Sequence, residues 1–191
     1  MPVDDFDQWF ANYLGQDARE VTRLLGDKTA IHFLIAWSIF ESCCFDGFAK
    51  VEKLESFVRD SLSTKGFKPR ELMDAANHFH NRYQDKELYG NLMWEQKSPK
   101  LNSILSKYFE ALSADEIAFF IIFVVYRYRN NIFHGNKGVR SWLNFKPQIK
   151  LCIKVMQTLI TFKVAALHKA AKQGDADAQE TLKKLNIDRK E

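Results

Sequence analysis

The stretch SADEIAFFIIFVVYRYRNNIFHG, Ser113 to Gly135, decides how the chain is read. Ser113-Ala-Asp-Glu116 has the form of a capping box, in which a serine and the acid three residues on satisfy the first free amides of a helix. An apolar run of ten residues follows, Ile117 to Tyr126. It falls short of the ~18 needed to cross a bilayer and suits a helix buried in protein. Gly135 can take the left-handed turn that stops a helix. The pattern therefore predicts a buried helix over 114–134, closed by the polar string YRYRNNIFHGNK (Tyr126–Lys137).

The rest of the chain reads outward from that helix as all-α, a bundle of about six or seven helices. Phe6, Trp9, Phe10, Tyr13 and Leu14 recur at helical spacing and predict a first helix over 4–25, stopped at Gly26. A long second helix is predicted over 29–62, with Asp27 or Thr29 as its cap. Pro69 opens a helix to about Tyr83, and Ser98-Pro99-Lys100 opens another to about Leu112. Ile149, Cys152, Ile153, Met156 and Ile160 give the apolar face of a helix beginning near Pro147. A short charged helix over 176–185 closes the chain. Its AAKQGDADAQETLKKL string has the small-residue character of tetratricopeptide-type helices, but in a single copy where about three are needed to stack. One domain over 1–191 is expected, with its core at about 27–167 and the first and last helices as additions.

A hydrophobic fraction of 46% and sixteen phenylalanines exclude disorder. The acidic start MPVDDFDQWF lacks a signal-peptide pattern. Three cysteines, two adjacent (Cys43 and Cys44), offer neither a disulfide framework nor metal spacing, so a reduced, cytoplasmic protein without cofactor is expected. A net charge of +4 permits an anionic partner without demonstrating one.

Chemistry concentrates at the end of the central helix. Arg129 can hold a phosphate bidentately and stays charged, while His134 can take and return a proton near neutrality. On an ideal helix these two would point about 140° apart. Arg127, seven positions before His134, lies on nearly the same face and competes for the phosphate role. Spacing alone leaves both arginines open.

Arg129-Asn130-Asn131-Ile132-Phe133-His134-Gly135 resembles the R-x4–6-H signature of HEPN domains, all-α modules in which that motif closes a long helix and a polar residue often follows the arginine. Asn130 fits that supporting position, and Tyr128 after Arg127 makes Arg129 the better match. The resemblance also implies an acidic residue in an aromatic setting on an earlier helix, which Glu41 of WSIFESCCF supplies. Many proteins of this family are metal-independent ribonucleases in toxin–antitoxin or antiviral systems, and two motifs commonly face each other across a homodimer. The resemblance thus implies RNA as substrate, attack by the 2′-hydroxyl on the adjacent phosphate, and a composite site. An antitoxin or other protein partner is implied too. The competing reading is a non-catalytic HEPN-like module that binds RNA, a nucleotide or a protein partner. A third is a plain helical interaction protein.

Lys137 and Arg140 follow the motif and are candidate phosphate contacts, as is Arg127. The lysines at 146, 150 and 154 share one helical stripe, a pattern more typical of a solvated face. His78 and His80 form an H-x-H whose side chains diverge on a helix, so no metal site is expected there. Glu41 either orients the Arg/His pair or serves the scaffold, since an unpartnered buried carboxylate would be costly.

Overall fold

A computed structural model describes residues 5–133 and 145–185, apart from the side chains of Leu24 and Phe133. The described residues form an all-helical bundle of ten α-helices without strands. These are α1 (Asp5–Leu14), α2 (Ala18–Leu25), α3 (Thr29–Phe45), α4 (Val51–Ser56), α5 (Met73–Arg82), α6 (Lys86–Met93), α7 (Pro99–Leu105), α8 (Ala114–Phe133), α9 (Lys146–Lys172) and α10 (Ala176–Lys184).

Helix α8 is the shaft around which the bundle is built. Ser113 N–H donates to Glu116 Oε2 at 3.0 Å and Glu116 N–H donates to Ser113 Oγ at 3.2 Å, so the capping box forms. From Ile117 to Val125 every side chain is buried. No polar face is left over those turns because α4, α5, α6, α7 and α9 all pack against the helix. Burial of each large side chain contributes about 1.5–3 kcal/mol, so this run is a major source of the fold's stability. The most extensive helix pair is α3 with α9, where Ile149, Cys152, Met156 and Leu159 turn inward.

The helix count exceeds the expected six or seven because two expected helices are broken and a further one, α6, stands at 86–93 where none is expected. The first, expected over 4–25, stops at Gly15 (φ +60°), where Gln16 N–H returns to Ala11 O at 3.0 Å. Asp17 then accepts Arg19 N–H at 2.9 Å and restarts the chain as α2. The second, expected over 29–62, breaks where Asp46 (φ +53°) and Gly47 (φ +90°) turn left-handed. Beyond this break come α4, a π-helical turn (Phe57–Leu62) and a 3₁₀ turn (Ser63–Lys65). Neither Asp27 nor Thr29 is the cap of α3: the N-cap position is Lys28, without a side-chain cap bond, and Asp27 one position earlier accepts Thr29 N–H at 2.9 Å and pairs with Lys146 of α9. The helix expected from Ser98 to Leu112 ends at Leu105, with a 3₁₀ turn at Phe109–Ala111.

Two small clusters stand apart from the main core. Phe10, Ala11 and Val21 join α1 to α2, and Leu167, Ala178 and Leu182 join the end of α9 to α10.

Candidate functional site

The end of α8 distributes its polar side chains over different faces. Arg127 and Asn131 are four apart and therefore share a face. Both are buried against the end of α6. Arg127 Nε donates to Leu92 O at 3.1 Å and its Nη2 donates to Met93 O at 2.8 Å and to Asn131 Oδ1 at 3.4 Å. Asn131 Nδ2 donates to Leu92 O at 3.0 Å and to Asn91 O at 3.4 Å. A cation beside the last carbonyls of a helix is favoured by the helix dipole, and here it adds hydrogen bonds to carbonyls that also accept from Asn131 Nδ2 and Gln96 N–H. Burial nevertheless pulls the Arg127 guanidinium below its ordinary pKa. The backbone just beyond is bent sharply, Trp94 and Glu95 being left-handed at φ +42° and +63°. Together these contacts form a clamp between α8 and α6.

Arg129, about 200° around the helix from Arg127, points elsewhere. It is half-buried, with its Cζ 5.6 Å from the centroid of the Trp37 ring on α3. Its Nη1 donates to Asn130 Oδ1 at 3.1 Å. Tyr126 packs on the same indole, with ring centroids 6.4 Å apart. The indole Nε1–H donates to Glu41 Oε2 at 2.9 Å, and Glu41 Oε1 accepts the Ala49 N–H at 2.9 Å. Glu41 thus ties the left-handed break after α3 back onto that helix and fixes the plane of the ring on which Arg129 lies. Tyr128 faces α5, where Tyr83 donates to its hydroxyl at 3.2 Å, and burial pushes Tyr128 up to about 12.

Of the residues singled out in the sequence, Arg129, Asn130 and Glu41 come together around Trp37, and Arg127 serves the α6 clamp. His134, Lys137 and Arg140 lie outside the described residues, as does Gly135. Two contributors were missed. Trp37 is the hub of the cluster, and its spacing of four from Glu41 was the available signal. Asn131 completes the clamp and looked interchangeable with Asn130 in the string. Among the lysines of the stripe, Lys150 and Lys154 are exposed, whereas Lys146 is paired with Asp27. His80 is buried between Phe109 and Phe120, and burial lowers the pKa of His78. Cys43, Cys44 and Cys152 are buried free thiols, and burial raises Cys152 far above a reactive range. Among the described residues no three His, Cys, Asp or Glu side chains gather as metal donors, and no helix is long and apolar enough to cross a membrane.

The arrangement can hold an anion. A guanidinium stacked on an indole keeps its orientation at little entropic cost, and its planar fork matches two phosphate oxygens. Comparison with known proteins adds no family: no protein-family model, no curated protein and no solved structure matches the chain.

Proposed function

We propose that the chain is a metal-independent endoribonuclease of the HEPN type, in which Arg129 binds the scissile phosphate and His134 moves the proton. The observation that carries this reading is the division of labour between the two arginines. Arg127 has its donors engaged by α6, while Arg129 lies half-exposed on Trp37 with Asn130 beside it. This supports Arg129 as the phosphate ligand, and with it the R-x4-H form of the motif.

In the reaction we assign, the RNA 2′-hydroxyl attacks the neighbouring phosphorus and the P–O5′ bond breaks. The products are a 2′,3′-cyclic phosphate and a free 5′-hydroxyl. His134 carries the proton lost by the 2′-oxygen or gained by the 5′-oxygen, and Arg129 stabilises the charge on the phosphoryl oxygens. Glu41 is a positioning residue acting through Trp37. Lys137 and Arg140 extend the phosphate track beyond the motif. A homodimer would bring two motifs into one composite site, which relieves the 140° divergence of Arg129 and His134 on a single helix. A toxin or antiviral effector in the cytoplasm, restrained by an antitoxin, is the biological role that fits this chemistry. The three free thiols suit such a reducing compartment.

The test incubates bulk RNA and a chelator with wild type, Arg129→Ala and His134→Ala. Wild type should cut and leave cyclic phosphate ends, and each variant should lose about 10²-fold or more. Cleavage retained by both variants would overturn the site. Tight RNA binding without cleavage by any of the three would establish the non-catalytic alternative.

A further inference from the structure

A cavity of about 600 Å³ lies between α5 and the segment that follows α7. Asn77, His80 and Asn81 of α5 and Gln84 just past its end stand at i, i+3, i+4 and i+7, so one helical stripe supplies them all. The opposite wall runs from Leu105 to Glu110. Gln84 joins the two walls, its Nε2 donating to Leu105 O at 3.1 Å and to His80 O at 3.4 Å. Phe120, which backs His80, stands nine positions before Arg129 on α8, about 13.5 Å along that helix. The cavity is therefore separate from the Arg129 cluster.

The lining is rich in groups that both donate and accept. Asn81 Nδ2 donates to Asn77 Oδ1 at 3.0 Å. Among the described residues this leaves Asn77 Nδ2, Asn81 Oδ1 and Gln84 Oε1 without a protein partner. His80 is only 4% exposed, and its Nε2 is closed off from solvent with no hydrogen-bond partner among the described residues. Buried polar atoms are nearly always bonded, so an orphan beside a cavity points to a partner that the chain does not itself supply. At the rim Tyr108 is 85% exposed, the most of any large apolar or aromatic side chain among the described residues. Its backbone is nevertheless pinned, because Ala111 N–H donates to Tyr108 O at 3.0 Å in a 3₁₀ turn. A ring fixed in that way is a platform for stacking.

Charge narrows the ligand further. Lys107 Nζ is held by Glu116 Oε1 at 2.6 Å, and Glu110 adds a carboxylate to the rim. With its lysine already paired, the lining disfavours a phosphate or another anion. Ligand cavities are for the most part apolar with a few polar groups, and here the proportions are reversed. The matching ligand is uncharged, carries hydrogen-bonding groups around its whole edge and has one C–H face to lay on a ring. We propose that the cavity binds a neutral sugar. Each sugar hydroxyl donates once and accepts twice, a demand that carboxamides and a carboxylate meet together. The C–H face lies on Tyr108, Asn77, Asn81 and Gln84 take the hydroxyls along one edge, and Glu110 accepts from another at the rim. Phe109 is partly buried with its ring centroid 5.5 Å from the imidazole, and a small turn of that ring admits a hydroxyl to His80 Nε2. This inference does not depend on the ribonuclease reading.

The test is an NMR titration of the full chain with glucose, galactose, N-acetylglucosamine and their disaccharides, alongside a phosphorylated glucose and adenosine. At least one neutral sugar should bind with a millimolar or tighter Kd, and glucose should bind more tightly than its phosphorylated form. Tyr108→Ala removes the platform and Asn81→Ala removes a donor and an acceptor, so each should weaken the sugar at least tenfold. Both positions are exposed, and circular dichroism reports that each variant is folded. Binding to wild type should also shift the His80 Nε2 resonance, which a sugar adsorbed on the outer surface leaves unmoved. No binding across the panel at tens of millimolar, binding indifferent to both variants, an unmoved His80 resonance, or preference for phosphorylated glucose or adenosine would each overturn the proposal. RNA cleavage, measured separately, neither rescues nor sinks it.

Discussion

Replacing Arg127 by methionine should destabilise the fold while Arg129→Ala should leave it nearly intact, and this contrast tests which arginine belongs to the scaffold. Arg127 makes two charge-assisted bonds to the Leu92 and Met93 carbonyls. Each such bond is worth about 1.5–3 kcal/mol. Removing the buried charge returns part of that, because a desolvated guanidinium is itself costly. The carbonyls are not orphaned either: Leu92 O keeps Asn131 Nδ2–H at 3.0 Å, and Met93 O keeps Gln96 N–H at 3.0 Å. The net loss should be about 2–4 kcal/mol, a fall in Tm of roughly 5–15 °C for a chain of this size. The contacts that Arg129→Ala forfeits include a stacking contact of about 0.5–1 kcal/mol and a hydrogen bond to Asn130. Its Tm should drop by no more than about 4 °C. Circular dichroism melts and RNA cleavage on the same preparations read both effects. An Arg127→Met protein with wild-type Tm and no cleavage would show that the clamp is not structural and that Arg127 serves the phosphate.

Two further outcomes follow from the same neighbourhood and from the α2–α3 turn. Glu41→Gln leaves one oxygen for two donors, Trp37 Nε1–H and Ala49 N–H, so unfolding in urea should show a loss of about 1–2 kcal/mol. Unchanged stability would mean that Glu41 does not hold the loop after α3. Lys146 and the Thr29 amide hold the Asp27 carboxyl far below the usual carboxylate range. A depressed folded pKa gives stability that is present above the unfolded value of about 3.9 and lost as acid protonates the folded group. Asp27→Asn should therefore melt below wild type at neutral pH, and the two curves should converge on acidification. A gap that widens in acid would refute that pairing.

Much of this architecture was legible because it rests on local chemistry. The capping box at Ser113 and Glu116, the unbroken apolar run, and the inward face of α9 all follow from residues a few positions apart. The broken helices were less legible. Leu14-Gly15-Gln16-Asp17 does carry a stop and a restart, but the aromatic periodicity on either side hid it. Asp46-Gly47 likewise carries a turn signature, and Gly47 N–H closes on Glu41 O at 3.1 Å, but the long apolar periodicity before it and the amphipathic pattern after it hid the break. The roles of Arg127 and Asn131 were not readable from the string at all. Their partners are carbonyls some 34 to 40 residues earlier in the chain, and only tertiary packing brings those within reach.

The capping box also makes α8 a phased object. Its start is pinned at Ser113, so every residue added or removed between Glu116 and Tyr126 turns all that follows by about 100° and slides it by about 1.5 Å. A single deletion would carry Arg127 and Asn131 away from α6 and Arg129 away from Trp37 together. Within this helix a step of about seven residues restores the angle but slides the end by about 10.5 Å, out of reach of α6 and Trp37, so the interval from Ser113 to Arg129 works as a spacer whose length is as constrained as its composition.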